Sequence, residues 1–184
     1  MKTKTDDPVF LRTPTSDDAD DFLEFVRQSR TFHRPWVYPP ATRTRFLSYL
    51  ERGRKDDYRS FLVRRAEDDA LVGVFNLSQI FRGGFQNAYL GYYGNARLGR
   101  NGYMTAAMRL LLRYAFRTLK LHRLEANIQP GNQPSIALAR GAGFRLEGFS
   151  PRYLLIGGQW RDHERYAITI DEHAAARAEQ SEAA

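Results

Sequence analysis

The chain has 184 residues and a net charge of +7, and 42% of its residues are hydrophobic, a composition typical of one globular domain. The sequence contains no cysteine, which excludes disulfides, thiolate catalysis and cysteine-ligated zinc. The 4 histidines lack metal-ligand spacing, and no apolar run is long enough to span a membrane. Because the N-terminus has no apolar signal core, we expect a cytoplasmic protein. We also expect no metal, no membrane association and no DNA partner. The positive charge favours polyanions.

The first half of the chain predicts one strand, two helices and then three strands. The first strand is predicted at Val9–Thr13, and Ser16 is expected to cap the helix that follows, with aspartates in its first turns. The second helix is predicted from Thr42 to Arg54. The three strands are predicted at Ser60–Arg65, Leu71–Ile80 and Ala88–Tyr93.

The second half alternates helices with strands. Apolar side chains at helical spacing predict a helix from Tyr103 to about Leu119. The elements expected after it are a strand at Arg123–Gln129, a helix ending near Gly141, and strands at Tyr153–Ile156 and Glu164–Ile170 around a Gly157-Gly158 turn. This order predicts one α/β domain over residues 1–173, with helices layered around a single sheet. Residues 174–184 have little to bury and are expected to form a frayed helix or to be disordered.

The most informative unit is a strand, a glycine-rich turn and a helix between Tyr89 and Thr105. A helix N-terminus exposes unpaired backbone N–H groups, and its dipole favours negative charge. Glycines in the turn at Gly99–Gly102 would let the backbone close on a phosphate. Gly91, inside the strand, marks a bulge or a close approach by a ligand. From these residues alone, a pyrophosphate site and an ordinary β–α turn are about equally supported.

Two blocks of the sequence resemble the GNAT acetyltransferases. The block from Tyr89 to Phe116 is similar to the family's motif A: Gly102 matches strictly, whereas Arg100 stands where a glycine is frequent. The block from Leu121 to Phe149 resembles motif B of the RimJ/RimL-type branch, the ribosomal-protein alanine N-acetyltransferases. Together with shorter similar stretches elsewhere in the chain, the resemblance covers about residues 9 to 171. It implies the GNAT fold, with a mixed central sheet of about six to seven strands flanked by about four helices.

The resemblance also implies acetyl-CoA as cosubstrate, held between two parallel strands that diverge. Its pantetheine arm would pair with one strand as an added strand does, and its diphosphate would lie at the glycine-rich turn. The residues implied to bind it are Leu90, Gly91, Tyr92, Tyr93, Gly99, Arg100, Asn101, Gly102, Tyr103, Met104, Asn132 and Ser135.

Three residues are implied in catalysis. A main-chain N–H at a bulge near Tyr92 would stabilise the oxyanion. Many family members carry a tyrosine seven residues after the asparagine that matches Asn132, but this chain has Ala139 there. As in RimL-type enzymes, Ser135 is the expected proton donor to the CoA sulfur, with helix capping as the alternative. Glu125 is the expected general base, and an ion pair with an arginine is the equally supported alternative.

The acceptor is expected to be a primary amine. An N-terminal α-amine, with a pKa near 7.7–8.0, loses its proton far more readily than lysine at about 10.4, which favours a protein N-terminus, such as that of a ribosomal protein. The residues expected at the acceptor mouth are His33, Trp36, Tyr38, Tyr153 and Trp160. His122 and His163 are interpreted as structural. A GNAT enzyme for small amines and a non-catalytic CoA- or RNA-binding module remain alternatives, and both a monomer and a homodimer remain open.

Overall fold

The computed structural model describes residues 7–182. Its strands form one seven-stranded sheet in the order β1-β2-β3-β4-β5-β7-β6, in which β4 and β5 are parallel and the other neighbours are antiparallel. The strands are β1 Val9–Arg12, β2 Tyr58–Arg65, β3 Leu71–Phe81, β4 Asn87–Gly94, β5 Arg123–Ile128, β6 Arg145–Ile156 and β7 Gln159–Thr169. The predicted α/β class and the number of strands are confirmed.

Six α-helical segments accompany this sheet within residues 7–182. They are α1 Ala19–Gln28, α2 Arg30–His33, α3 Arg43–Gly53, α4 Tyr103–Arg113, α5 Gln133–Gly141 and α6 Ile170–Glu182. Two of them, α2 and α6, come in addition to the four or so that were expected. The predicted frayed or disordered tail overlaps α6, except for residues 183 and 184, which lie outside the described residues. None of the described helices is both long and apolar enough to cross a membrane.

The structure differs from the predicted elements at four places, for local physical reasons. Ser16 does not cap α1, because it lies inside a short 3₁₀ turn that the Asp18 carboxylate closes by accepting from the Thr15 amide at 2.7 Å. The helix predicted to reach Leu119 becomes a π-helical turn after Arg113. Strands β6 and β7 begin well before their predicted starts, because exposed polar side chains and two irregular registers hide the alternation of β6.

The central strands of the sheet are buried on both faces, and the alternation of their side chains separates two cores. Phe61 and Phe75 lie on the face covered by α4, where they share a core with Met108. Leu62 and Val74, their neighbours in sequence, lie in the opposite core under α1 and α3. Because successive side chains of a strand point to opposite faces, such continuous apolar runs can support two layers of helices.

The two parallel strands diverge in the middle of the sheet. Pairing between β4 and β5 extends only from Asn87 opposite Arg123 to Tyr89 opposite Glu125. Beyond that point β4 continues to Gly94 and β5 to Ile128 without pairing to each other. This divergence opens the sheet next to the N-termini of α4 and α5, and it places the cavity described below.

Candidate active site

A cavity of about 830 Å³ occupies the gap between the diverging strands. Its volume lies within the usual range for small-molecule sites. It is lined by the second half of β4, the turn before α4, the end of β5, the start of α5 and the segment around α2. The structure brings into its wall all the residues that the sequence suggested for cosubstrate binding: Leu90, Gly91, Tyr92, Tyr93, Gly99, Arg100, Asn101, Gly102, Tyr103, Met104, Asn132 and Ser135.

One end of the cavity is formed by the N-terminus of α4. Gly102 caps this helix with φ +73°, a left-handed conformation that suits glycine. Arg100 also has a positive φ, +64°, which explains why glycine is frequent at this place in the resembling family. The first N–H groups of a helix have no intrahelical partner and carry its positive dipole end. Arg100 adds the one formally charged side chain among the described residues of the cavity wall.

The middle of the cavity is the edge of β4 that β5 leaves unpaired. Backbone groups of Leu90–Tyr93 on that edge have no strand partner, so they fit an extended ligand laid along them. The bulge expected near Tyr92 is absent there, because β3 and β4 pair in regular register from Ser78–Tyr89 to Gly73–Gly94. The irregularity lies instead in β3, between Ser78 and Phe81.

A hydrogen bond joins the start of α5 to β4 in the cavity wall. The Tyr92 hydroxyl donates to the backbone carbonyl of Ser135 at 2.7 Å, and burial raises the pKa of Tyr92. Asn132 caps α5, since its side-chain oxygen accepts from the Ser135 amide at 3.4 Å. Ala139, at the position where many relatives carry tyrosine, is fully buried. Tyr92 therefore brings a phenol to α5 from the neighbouring strand.

Glu125 lies outside this arrangement. Its side chain does not line the cavity, and its carboxylate accepts from Asn87 Nδ2 at 2.9 Å and from Arg123 Nε at 3.0 Å. The geometry thus matches the alternative of an ion pair with an arginine and gives no support to Glu125 as a base.

Two of the five residues expected at the acceptor mouth, His33 and Trp36, line the cavity. The other three do not. Tyr38 packs against the backbone of the β6–β7 turn at Gly157, Tyr153 contacts His163 edge-to-face at 6.1 Å, and the Trp160 side chain is mostly exposed.

His163, interpreted from sequence as structural, also lines the cavity. It is only 3% exposed, its Nδ1 lies 2.9 Å from the carbonyl oxygen of Arg161, and burial lowers its pKa. The sequence did not reveal it because β7 was predicted to begin at Glu164, which left His163 outside any element. The signal that could have found it is its alternation with Arg161 along the true strand.

The described cavity wall contains no aspartate or glutamate. Nor do residues 7–182 bring together three histidine, aspartate or glutamate side chains that could hold a metal ion. The groups in the wall that can take up a proton near neutral pH are therefore the imidazoles of His33 and His163.

Comparison with known proteins agrees with this geometry. Residues 9–145 match the family model described as acetyltransferase (GNAT) domain. The chain is 36% identical over 176 residues to the probable N-acetyltransferase YjcK of Bacillus subtilis strain 168, covering 91% of this chain and 96% of that protein. It is 32% identical over 181 residues to the ribosomal protein uS5-alanine N-acetyltransferase of Escherichia coli strain K12, covering 94% and 93%. The structure of Mycobacterium smegmatis RimJ in complex with CoA-disulfide matches with a TM-score of 0.82 and 29% identity, covering 89% of this chain and 83% of that one.

Proposed function

The chain belongs to the GNAT acetyltransferase family and uses acetyl-CoA as its cosubstrate; from this premise we propose that it acetylates the N-terminal α-amine of a protein. The observation that carries the proposal is the absence of carboxylates from the described cavity wall. A polyamine carries several positive charges at neutral pH, and burying them without opposite charges is costly. A peptide N-terminus brings one ionisable group that can enter as the neutral amine.

Proton chemistry favours the same acceptor. An α-amine with a pKa near 7.7–8.0 is partly neutral at physiological pH, so a weak base suffices to complete its deprotonation. A lysine side chain, near 10.4, would need a stronger base or a larger shift of its pKa. The cavity wall offers imidazoles and no carboxylate, which suits the more acidic amine. The relative that acts on the alanine of ribosomal protein uS5 makes a ribosomal protein the first acceptor to test.

The wall also fits acetyl-CoA in chemical terms. The diphosphate would lie against the first amides of α4, with Arg100 adding charge, and the pantetheine amides would pair with the free edge of Leu90–Tyr93. A main-chain N–H on that edge would face the developing oxyanion, a contribution that typically lowers the barrier by about 2.7–4 kcal/mol. Asn132, at the start of α5, would orient the arm near its sulfur.

Ser135 is the proposed proton donor to the CoA sulfur, because it lines the cavity on the first turn of α5. We expect Ser135→Ala to lower kcat at saturating acetyl-CoA by roughly 10²-fold, the lower end of the usual contribution of general acid catalysis. Ser48→Ala is the matched control, because the Ser48 hydroxyl is exposed and bonds only within α3. An unchanged turnover number in Ser135→Ala would remove Ser135 from the mechanism.

The acceptor is tested by measuring CoA release with peptides that begin with alanine and with a panel of small amines that includes spermidine. The peptides should show the higher kcat/KM, and the same peptides with a blocked N-terminus and a free lysine should be poor acceptors. Mass spectrometry of the product should place the acetyl group on the α-amine. A higher kcat/KM for spermidine than for every peptide would contradict the proposal.

A further inference from the structure

Two histidines lie in the cavity wall, and each has one ring nitrogen committed to a backbone carbonyl. The Nδ1 of His163 lies 2.9 Å from the Arg161 carbonyl, and the Nε2 of His33 lies 2.8 Å from the Gly94 carbonyl. A carbonyl oxygen can only accept, so each committed nitrogen must carry the ring hydrogen in the neutral form. The other nitrogen of each ring then holds a lone pair.

The two lone pairs differ in their access to the cavity. In His33 the free nitrogen is Nδ1, which is sealed from solvent and has no hydrogen-bond partner in the described structure. The His33 ring is enclosed by Phe25 and Tyr93, whose ring centroids lie 5.4 and 5.2 Å away. In His163 the free nitrogen is Nε2, which has no hydrogen-bond partner among the described residues and is not sealed from solvent.

We propose that His163 is the general base, taking a proton from the acceptor amine on Nε2. The inference rests on the acetyl-transfer reaction and deepens the proposed function, because it names the group that prepares the amine. The fold supports the assignment, since β7 pairs with β5 up to Glu164 opposite Ile128, which places His163 beside the end of the diverging strand. The Arg161 carbonyl fixes the tautomer that leaves Nε2 free.

The proposed step balances in protons and electrons. The ammonium form of the acceptor gives one proton to Nε2, which makes the imidazolium and leaves a neutral amine. The nitrogen lone pair forms a bond to the thioester carbonyl carbon, and the C–S bond then breaks as the oxyanion collapses. The second amine proton goes to the departing sulfur, directly or through Ser135, and the imidazolium returns its proton to solvent. The products are the N-acetylated amine, CoA thiol and one proton.

The groups around His163 determine its protonation. Burial lowers its pKa below the ordinary 6.5, whereas the hydrogen bond to the Arg161 carbonyl and the negative charge of Asp162 raise it. From β6, the Tyr153 ring lies 6.1 Å from the His163 ring, and no carboxylate faces His163 from the described cavity wall. With burial dominant, the ring is neutral and able to accept a proton at physiological pH.

The first test needs no turnover. Nitrogen-15 NMR of the imidazoles in the full chain should show His163 with its hydrogen on Nδ1, an unprotonated Nε2 and a pKa below 6.5, assigned by comparison with His163→Gln. A hydrogen found on Nε2 in the neutral ring would overturn the proposal, because that nitrogen could not then take a proton.

The second test is kinetic. His163→Gln and His163→Ala should keep their affinity for acetyl-CoA by calorimetry and lose at least about 10²-fold in kcat. The rise of kcat with pH through the His163 pKa should disappear, and added imidazole should restore part of the rate in His163→Ala. His122→Gln is the control, because the exposed His122 lies outside the cavity wall.

The kinetic outcomes separate the two proposals. A near-wild-type kcat with an unchanged pH limb in both His163 variants would overturn the role of His163 and leave the proposed acceptor intact. A wild-type enzyme that acetylates small amines but no peptide would contradict the proposed acceptor, and the His163 variants would then be tested with that small amine.

Discussion

At the scale of single residues, Gly73 on β3 and Gly91 on β4 differ in the space available for a side chain. A Cβ on Gly73 would lie 2.6 Å from Met104 Sδ and 2.8 Å from the backbone carbonyl oxygen of Tyr93. The carbonyl cannot yield as a flexible side chain does, because it belongs to a paired strand. Gly73→Ala is therefore expected to lower the free energy of unfolding by about 1–3 kcal/mol, measured by urea denaturation. Gly91→Ala is the comparison variant, because a Cβ at Gly91 would meet no atom within 4 Å.

The Gly91 variant should fold normally but bind acetyl-CoA less well. Gly91 lies in the cavity wall on the free edge of β4, so a methyl group would occupy space next to the cosubstrate. We expect a higher KM for acetyl-CoA with an unchanged denaturation midpoint. Loss of stability in Gly91→Ala equal to that in Gly73→Ala would show that both glycines serve packing alone.

Most residues expected to bind acetyl-CoA lie in two short stretches, Leu90–Tyr93 and Gly99–Met104, and the structure brings both stretches into the cavity wall. The turn from Gly99 to Gly102 and the start of α4 form a local motif whose geometry follows from neighbouring residues. His163 could not be predicted in this way, since its role depends on the register of β7 against β5. The choice between the two readings of Glu125 could not be made from sequence for the same reason: Asn87, one of its two partners, comes from a parallel strand 38 residues away in sequence.

At the scale of elements, Asp18 joins the turn before α1 to two strands. It pairs with Arg12 on β1 and, at 2.8 Å, with Arg64 on β2. Burial alone would raise its pKa, but the hydrogen bonds from Arg12 and Thr15 prevail, and the pKa is lowered to about 2. A lowered folded-state pKa means that the stabilisation is complete above the unfolded value near 3.8 and is lost as the pH falls toward 2.

Asp18→Asn should therefore remove part of the acid sensitivity of unfolding between about pH 4 and 2. It should also destabilise the protein at pH 7 by about 1–3 kcal/mol, because the buried Arg64 loses one partner and keeps its ion pair with Asp21. Asp20→Asn is the control, since Asp20 is 92% exposed in its ion pair with Arg43 and such pairs contribute little. Equal pH profiles of stability for wild type and Asp18→Asn would show that Asp18 titrates alike in both states.

The bond from Tyr92 to Ser135 links β4 to α5 across the cavity. Tyr92→Phe should lower the free energy of unfolding by about 1 kcal/mol, since one buried hydrogen bond is lost. It should also lower kcat, because the first turn of α5 carries Ser135. Tyr49→Phe loses a comparable buried bond, 2.8 Å to Asn76, away from the cavity, so it should cost similar stability without a kinetic effect. Parallel kinetic losses in both variants would argue against a special role for the Tyr92 bond.

At the scale of the whole molecule, the cavity exists because one sheet contains a single parallel pair that comes apart. The composition and element order predicted the mixed α/β layers, but neither could show that pairing stops at Tyr89 and Glu125. That stopping point depends on long-range packing: Leu90 and Tyr92 belong to the core under α4, whereas Tyr93 packs with His33 and Phe25 on the other face. The divergence of the two parallel strands was expected only from the family resemblance, because the residues alone did not predict it.

A ligand that contacts both sides of this divergence should stabilise the fold as a whole. At 100 times its Kd, a ligand specific for the native state adds about 2.7 kcal/mol, which corresponds to a rise in Tm of roughly 5–10 °C for a domain of this size. Arg100→Ala should bind CoA more weakly and show a smaller rise, most clearly at low ionic strength, where charges are least screened. Arg109→Ala is the matched control: it removes the same charge from the exposed side of α4, outside the cavity wall. If both variants lose affinity equally, the net charge of the surface attracts CoA, and the turn before α4 holds no specific diphosphate site.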